Sequence, residues 1–375
     1  MAQLPVDDLE TLRQRRSVKW RAHDPDALPL PVAEMDFRLA EPIRRELADA
    51  VDRSDTGYAF AGAALPEALA GFAERRWGWI IDPASVTAVA DVGVGSVELL
   101  RVLSSPGDGV VVNPPVYAPF FSWIEETGRQ VVEAPLGEDF ALDFDALEAA
   151  FEQRPAAYLL CNPHNPVGRV HTADELATVA DLAERYDVCV ISDEVHAPLV
   201  LTGASHTPYL TIPGAAGNAL ALVAASKAWN LAGLKCAQIV TASPQMRAIT
   251  DRLPVDVRYR VGHFGVIASV AAYNEGEAWL DDLLETIDAR RALLPGLLAK
   301  YLPGAGWVRS QATYLAWLDC RAYGAGEEPY EKFLAAGVAT DPGPKFGTGG
   351  GGHVRLNLAT SEEILTEAFG RMAAH

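Results

Sequence analysis

Along the middle of the chain, short runs of β-branched and apolar residues alternate with longer stretches of helical periodicity. The segments SVTAVADV, GVVVNPP, RQVVEAP, AAYLLCNP, VCVISDE, NALALVAAS and CAQIVTAS predict seven strands. Between them SVELLRVLS, FDALEAAFEQR and TADELATVADLAERY carry apolar residues at helical spacing. The last opens on Thr172, with Glu175 placed to complete a capping box. Strand and helix in alternation predict an α/β fold, with a mostly parallel sheet covered by helices on both faces. After residue 280 the pattern changes. A long helix over roughly 277–300 leads into strands at TYLAWLD and HVRLNL and a closing helix at EEILTEAFGRMAA, a smaller α+β domain. The first forty residues are Pro-rich and weakly periodic, and are expected to form an arm on that domain. The expected division is 1–40 for the arm, 41–280 for the large domain and 281–375 for the small one. No solenoid-length repeat and no low-complexity linker interrupts it.

Composition changes this picture little. With 375 residues, 49% apolar and 22% charged, the chain has room for two cores and is not disordered. A formal charge of -19 repels nucleic acid and anionic membranes, so neither is expected as a partner, although a local pocket can still oppose the global sign. Cys161, Cys189, Cys236 and Cys320 are widely spaced, without CxxC pairs or interleaved histidines, so neither a disulfide framework nor a bound metal is expected. No secretory signal and no membrane-length apolar run is visible, which predicts a cytoplasmic protein.

Several polar residues fall where open α/β sheets bind ligands, at the carboxyl ends of strands. In ALVAASKAWNLAGLK, Lys227 follows Ser226 beyond a buried run, a setting that lowers a lysine's pKa and suits a Schiff-base nucleophile. In CNPHNPVGR two Asn-Pro pairs fix a turn that presents Asn165. In VCVISDEVH a strand runs straight into Asp193 and Glu194, and a buried carboxylate there needs a cation or several donors. VNPPVYAPF offers Tyr117 and Phe120 as a face for a planar ligand. DVGVGSVELL places glycines ahead of a helix, where free N–H groups suit a phosphate. HVRLNLAT carries Arg355, whose fork can hold a carboxylate bidentately. Each has an ordinary structural explanation when taken alone: a core aromatic, a helix cap, a surface arginine. Their order along one chain is what argues for a site.

That order resembles the fold-type I pyridoxal-phosphate (PLP) enzymes of the class I/II aminotransferase superfamily. Within it, the chain looks like the cystathionine β-lyases of the MalY/PatB type. The matching stretches are SVKWR, VAEMDF, TGYAF, PPVYAPF, CNPHNPVGRV, ISDEVHAPLV, ASKAWNLAGLK, TYLAWLD and VRLNLAT. The resemblance implies PLP as cofactor, bound to Lys227 as an imine, with Lys227 also shuttling the substrate's α-proton. It implies Asp193 at the pyridine nitrogen, Asn165 at the 3′-oxygen with His196 nearby, and Tyr117 on the ring. Val94, Gly95, Ser226 and Lys235 fall near the expected phosphate cup, with Tyr58 reaching the phosphate of a partner in a homodimer. Arg355 would take the substrate's α-carboxylate. The implied activity is β-elimination from L-cystathionine or a related L-cysteine S-conjugate, giving a thiol, pyruvate and ammonia; the alternative is transamination with 2-oxoglutarate. Three departures from the family pattern bear on the substrate. Pro31 precedes VAEMDF, which has Glu34 for Asp; the lysine motif is ASKAWN; and the glycine run Gly347–Gly352 is expected to loosen the approach to Arg355.

Overall fold

The computed structural model describes residues 4–324 and 328–374. Its main sheet is built from β1 (Val86–Val89), β2 (Gly109–Val112), β3 (Gln130–Glu133), β4 (Ala157–Cys161), β5 (Cys189–Asp193), β6 (Ala219–Val223) and β7 (Ala237–Thr241). The strand order is β1-β7-β6-β5-β4-β2-β3. Only β7 is reversed, pairing antiparallel with β6 and with β1. The central strands are buried apart from the partly exposed Cys189 at the start of β5, as expected of a sheet covered on both faces. Tyr158 and Leu160 of β4 enter one core, whereas Leu159 and Cys161 enter the other.

In register, Cys161 lies opposite Asp193, and Asp193 opposite Leu222. The tips of β4, β5 and β6 therefore end together. The turn after Cys161, the acid closing β5 and the loop after Val223 are brought to one edge. Helix α1 (Val92–Leu103) packs across this edge and α2 (Ala173–Tyr186) covers the other face. In α2 the Thr172 hydroxyl accepts the Glu175 amide at 3.1 Å, and the Glu175 carboxylate accepts the Thr172 amide at 2.8 Å.

At α1 the structure corrects the sequence expectation. Gly93 and Gly95 do not precede the helix but lie in its first turns, because Asp91 is the N-cap and accepts the Val94 amide at 2.8 Å. Gly95 faces the sheet rather than a ligand. A Cβ there would meet Leu222 Cδ2 at 2.9 Å, so the glycine is what lets α1 lie close on the strands.

The second sheet comprises β8 (Gly306–Trp307), β9 (Leu315–Asp319), β10 (Asp341–Pro342) and β11 (His353–Asn357), antiparallel in the order β10-β11-β9-β8. Helices α3 (Glu277–Tyr301) and α4 (Glu362–Ala373) pack with it. Leu12, Trp20, Leu28 and Leu30 from the N-terminal arm share its core with Leu318, Leu356 and Phe369. Helix α3 serves both cores: Leu280, Leu283 and Ile287 enter the large one, Leu294 and Leu298 the small one.

The glycine run does not loosen the path to Arg355. Gly347, Gly349 and Gly352 adopt left-handed backbone, and a Cβ on Gly350 would sit 2.1 Å from the Gly343 carbonyl oxygen. The run is a tight reversal in which Gly347, Gly350 and Gly352 leave no room for a side chain. Among the described residues, no helix is long and apolar enough to cross a membrane, and no group of three or more His, Cys, Asp or Glu is arranged to hold a metal.

Candidate active site

A cavity of about 560 Å³ opens at the joined tips of β4, β5 and β6. Lys227 reaches into it from the loop after β6, and its ammonium donates to the Ala33 carbonyl at 3.2 Å. Burial pulls this lysine down from 10.5 to about 8; Arg355 adds to the effect, while Glu34 and Asp193 oppose it. This brings the free amine, which nucleophilic chemistry at a carbonyl requires, much closer to neutral pH than in an exposed lysine.

Asp193 closes β5 and accepts the Val195 amide at 3.1 Å. Burial pushes its carboxyl up to about 7 despite that hydrogen bond and the nearby Lys227. No guanidinium or ammonium pairs with it among the described residues. This is a buried acid in need of a cation. His196 lies in the same wall. Burial, with Lys227 and Arg355, lowers it to about 3, so the ring is neutral, and its Nδ1 has no hydrogen-bond partner.

Asn165 sits in the turn after β4. Its Oδ1 accepts from Arg355 at 2.9 Å, which leaves the amide NH2 to donate elsewhere. Next to it, the His164 ring hydrogen-bonds the Pro115 carbonyl at 3.0 Å, tying the asparagine turn to the segment that carries Tyr117. Tyr117 lines the cavity and meets Phe120 and Trp123 edge-on at 5.8 and 5.7 Å. Phe120, expected beside it, is core packing and fully buried.

At the α1 end, Val94, Ser226 and Lys235 line the cavity, and Lys235 pairs with Asp91 at 2.8 Å. Gly95 is held away by its contact with the sheet. Tyr58 lies outside the cavity: it is 83% exposed, and its ring meets Tyr259 edge-on at 6.1 Å.

A second cavity of about 390 Å³ shares Lys227 and Tyr117 with the first and reaches Arg355. Arg355 is buried, and Asp341 accepts from its Nε at 2.9 Å and also from a terminal nitrogen. The other oxygen of Asp341 takes the ammonium of Lys345. Burial works against ionisation of Asp341, but Arg355 and Lys345 outweigh it and hold the carboxyl below its usual range.

Sequence reasoning missed Asp91, Ala33 and Asp341. Asp91 had a readable signal, a capping residue two positions before Gly93. Ala33 acts through its carbonyl, which also accepts the Tyr314 hydroxyl at 3.0 Å, and a backbone atom leaves no mark in residue type. Asp341 comes from a two-residue strand that no periodicity announces.

The donor set fits PLP. Asp193 lacks the cation that a protonated pyridine would supply, the Asn165 amide is free to meet a phenolic oxygen, and Lys227 is a desolvated amine suited to an aldehyde. Ser226, Lys235 and the N-terminal turn of α1 offer donors for a phosphate, although the Asp91 carboxylate now holds two of them.

A buried lysine at the strand tips of a doubly wound sheet, beside an unpaired acid, is the frame of an enzyme that works through a carbonyl cofactor. Residues 28–372 match the family model for aminotransferase class I and II, and the chain belongs to that family. It is 49% identical to a Mycobacterium leprae protein provisionally named cystathionine beta-lyase, over 99% of this chain and 98% of that one. To the Bacillus subtilis cystathionine beta-lyase PatB it is 35% identical, over 96% of each. Among solved structures it resembles a protein from Corynebacterium diphtheriae, provisionally described as a PLP-dependent beta-cystathionase. The TM-score is 0.94 at 36% identity, covering 100% of this chain and 98% of the other.

Proposed function

We propose that the protein is a PLP-dependent carbon–sulfur β-lyase that cleaves L-cystathionine or related L-cysteine S-conjugates to a thiol, pyruvate and ammonia. The observation that carries this reading is Lys227, a buried amine with a depressed pKa facing an acid that lacks a cation. The names of the relatives, cystathionine beta-lyase and beta-cystathionase, supply the substrate class.

When bound, PLP supplies an electron sink conjugated to the substrate's α-carbon. The chain's own residues do the rest. Lys227 would hold the cofactor's aldehyde and, as a buried amine with a lowered pKa, would serve as the base for the substrate's α-proton. Asp193 would compensate a positive ring nitrogen, Asn165 and His196 would face the 3′-oxygen, and Tyr117 would pack on the ring. Val94, Ser226 and Lys235 would take the phosphate. Arg355 binds the α-carboxylate, its guanidinium plane fixed by Asp341 and Asn165. Gly95 supports this site from behind the helix. We place Tyr58 at the partner subunit's phosphate in a homodimer, a role its exposure allows. The four free cysteines favour a cytoplasmic setting.

The same residues serve a transaminase, which differs in needing a keto acid as second substrate. The test is pyruvate release from L-cystathionine by the cofactor-loaded protein with no keto acid present. Sustained release is expected; turnover only when 2-oxoglutarate is added would replace the lyase by the transaminase.

A further inference from the structure

Where the second cavity meets Arg355, two cations share a single carboxylate. Asp341 accepts from Arg355 through one oxygen and from Lys345 through the other. In a chain of formal charge -19, this corner keeps one surplus positive charge. Lys345 is the reachable member: its side chain is 38% exposed, against 5% for Arg355 and 7% for Asp341. An ammonium has three donors, and among the described residues Asp341 takes only one of them. The turn Gly343–Phe346 that carries Lys345 is anchored, because the Phe346 carbonyl accepts the Val116 amide at 2.9 Å just ahead of Tyr117. Burial, reinforced by Arg355, lowers the pKa of Lys345 against the pull of Asp341, as befits a cation short of countercharge.

Resting on the lyase reading above, the geometry points to Lys345 as a specificity-determining residue that binds a carboxylate on the substrate's S-substituent, beyond the α-carboxylate held by Arg355. The favoured substrates are then L-cysteine S-conjugates whose leaving thiol bears an acid group. A neutral alkyl conjugate of equal length leaves the two spare donors of Lys345 to water.

The test compares S-(2-carboxyethyl)-L-cysteine with S-propyl-L-cysteine on the cofactor-loaded enzyme, reading kcat/KM for pyruvate release. The wild type is expected to prefer the acid. In Lys345→Met the ratio of the two kcat/KM values falls by about tenfold or more, chiefly through KM of the acid, as loss of a charge-assisted hydrogen bond implies. Lys345→Arg retains much of the preference. If Lys345 only steadies Asp341 and Arg355, both substrates weaken together and the ratio stays fixed; an unchanged ratio for either reason overturns the proposal. Should the wild type release no pyruvate from either compound, the lyase reading fails. Lys345 is then judged on the same ratio taken from dissociation constants, measured by titrating the cofactor's absorbance with each compound.

Discussion

Burial moves the ionisation of Asp193 and Lys227 toward neutral pH from opposite sides. Asp193 is raised from 3.8 to about 7 by burial, while Lys227 is lowered from 10.5 to about 8 by the same cause. Each lacks something that a cationic aromatic aldehyde provides. For Asp193 this has a consequence in stability. A carboxyl raised on folding stabilises fully below its unfolded pKa, and that contribution is lost as pH rises through the folded value. The cofactor-free protein should therefore lose stability between about pH 4 and pH 7, by on the order of a few kcal/mol at this site. Urea denaturation of cofactor-free wild type against Asp193→Asn measures it: the variant should lack this part of the loss. Equal slopes for the two proteins would show that Asp193 does not carry the buried charge. Sequence made both residues legible, since a polar side chain ending an apolar strand must have a reason. It could not show that Asn165 and Asp341 divide Arg355 between them, because those partners are far apart in the chain and meet only in the fold.

At the scale of elements, the seven strands and the capped helix α2 were readable because each has an unbroken period and clear punctuation. Helix α1 was read as starting too late. Its glycines look like loop residues, whereas Asp91 caps the chain ahead of them and the sheet demands a residue without a side chain at Gly95. The run Gly347–Gly352 misled in the same way. Flexibility in a sequence became close packing in the structure, because the residue that tolerates many conformations also fits where no other can. Short strands such as β10 carry no period at all. The position of Asp341 beside Arg355 follows from the pairing of β10 with β11, in which those two residues are direct partners.

Across the whole molecule, the charge of -19 sets a repulsive background against which Lys235, Lys345 and Arg355 form a local cationic lining for anionic ligands. The surface also bears exposed aromatics, with Tyr58 at 83%, Phe60 at 86% and Tyr259 at 64%. A second copy of the chain is the occupant that the homodimer proposal assigns to them. Sedimentation equilibrium of the cofactor-loaded protein should give twice the chain mass; a monomer with full lyase activity would remove Tyr58 from the account.

The claim beneath all of these is that Lys227 carries the cofactor. Borohydride reduction of the loaded protein, followed by peptide mapping, reads it directly. The pyridoxyl group is expected on the peptide containing Lys227, with none in Lys227→Ala. Label on another lysine, or no label on a protein that has taken up PLP, would contradict the account at its base.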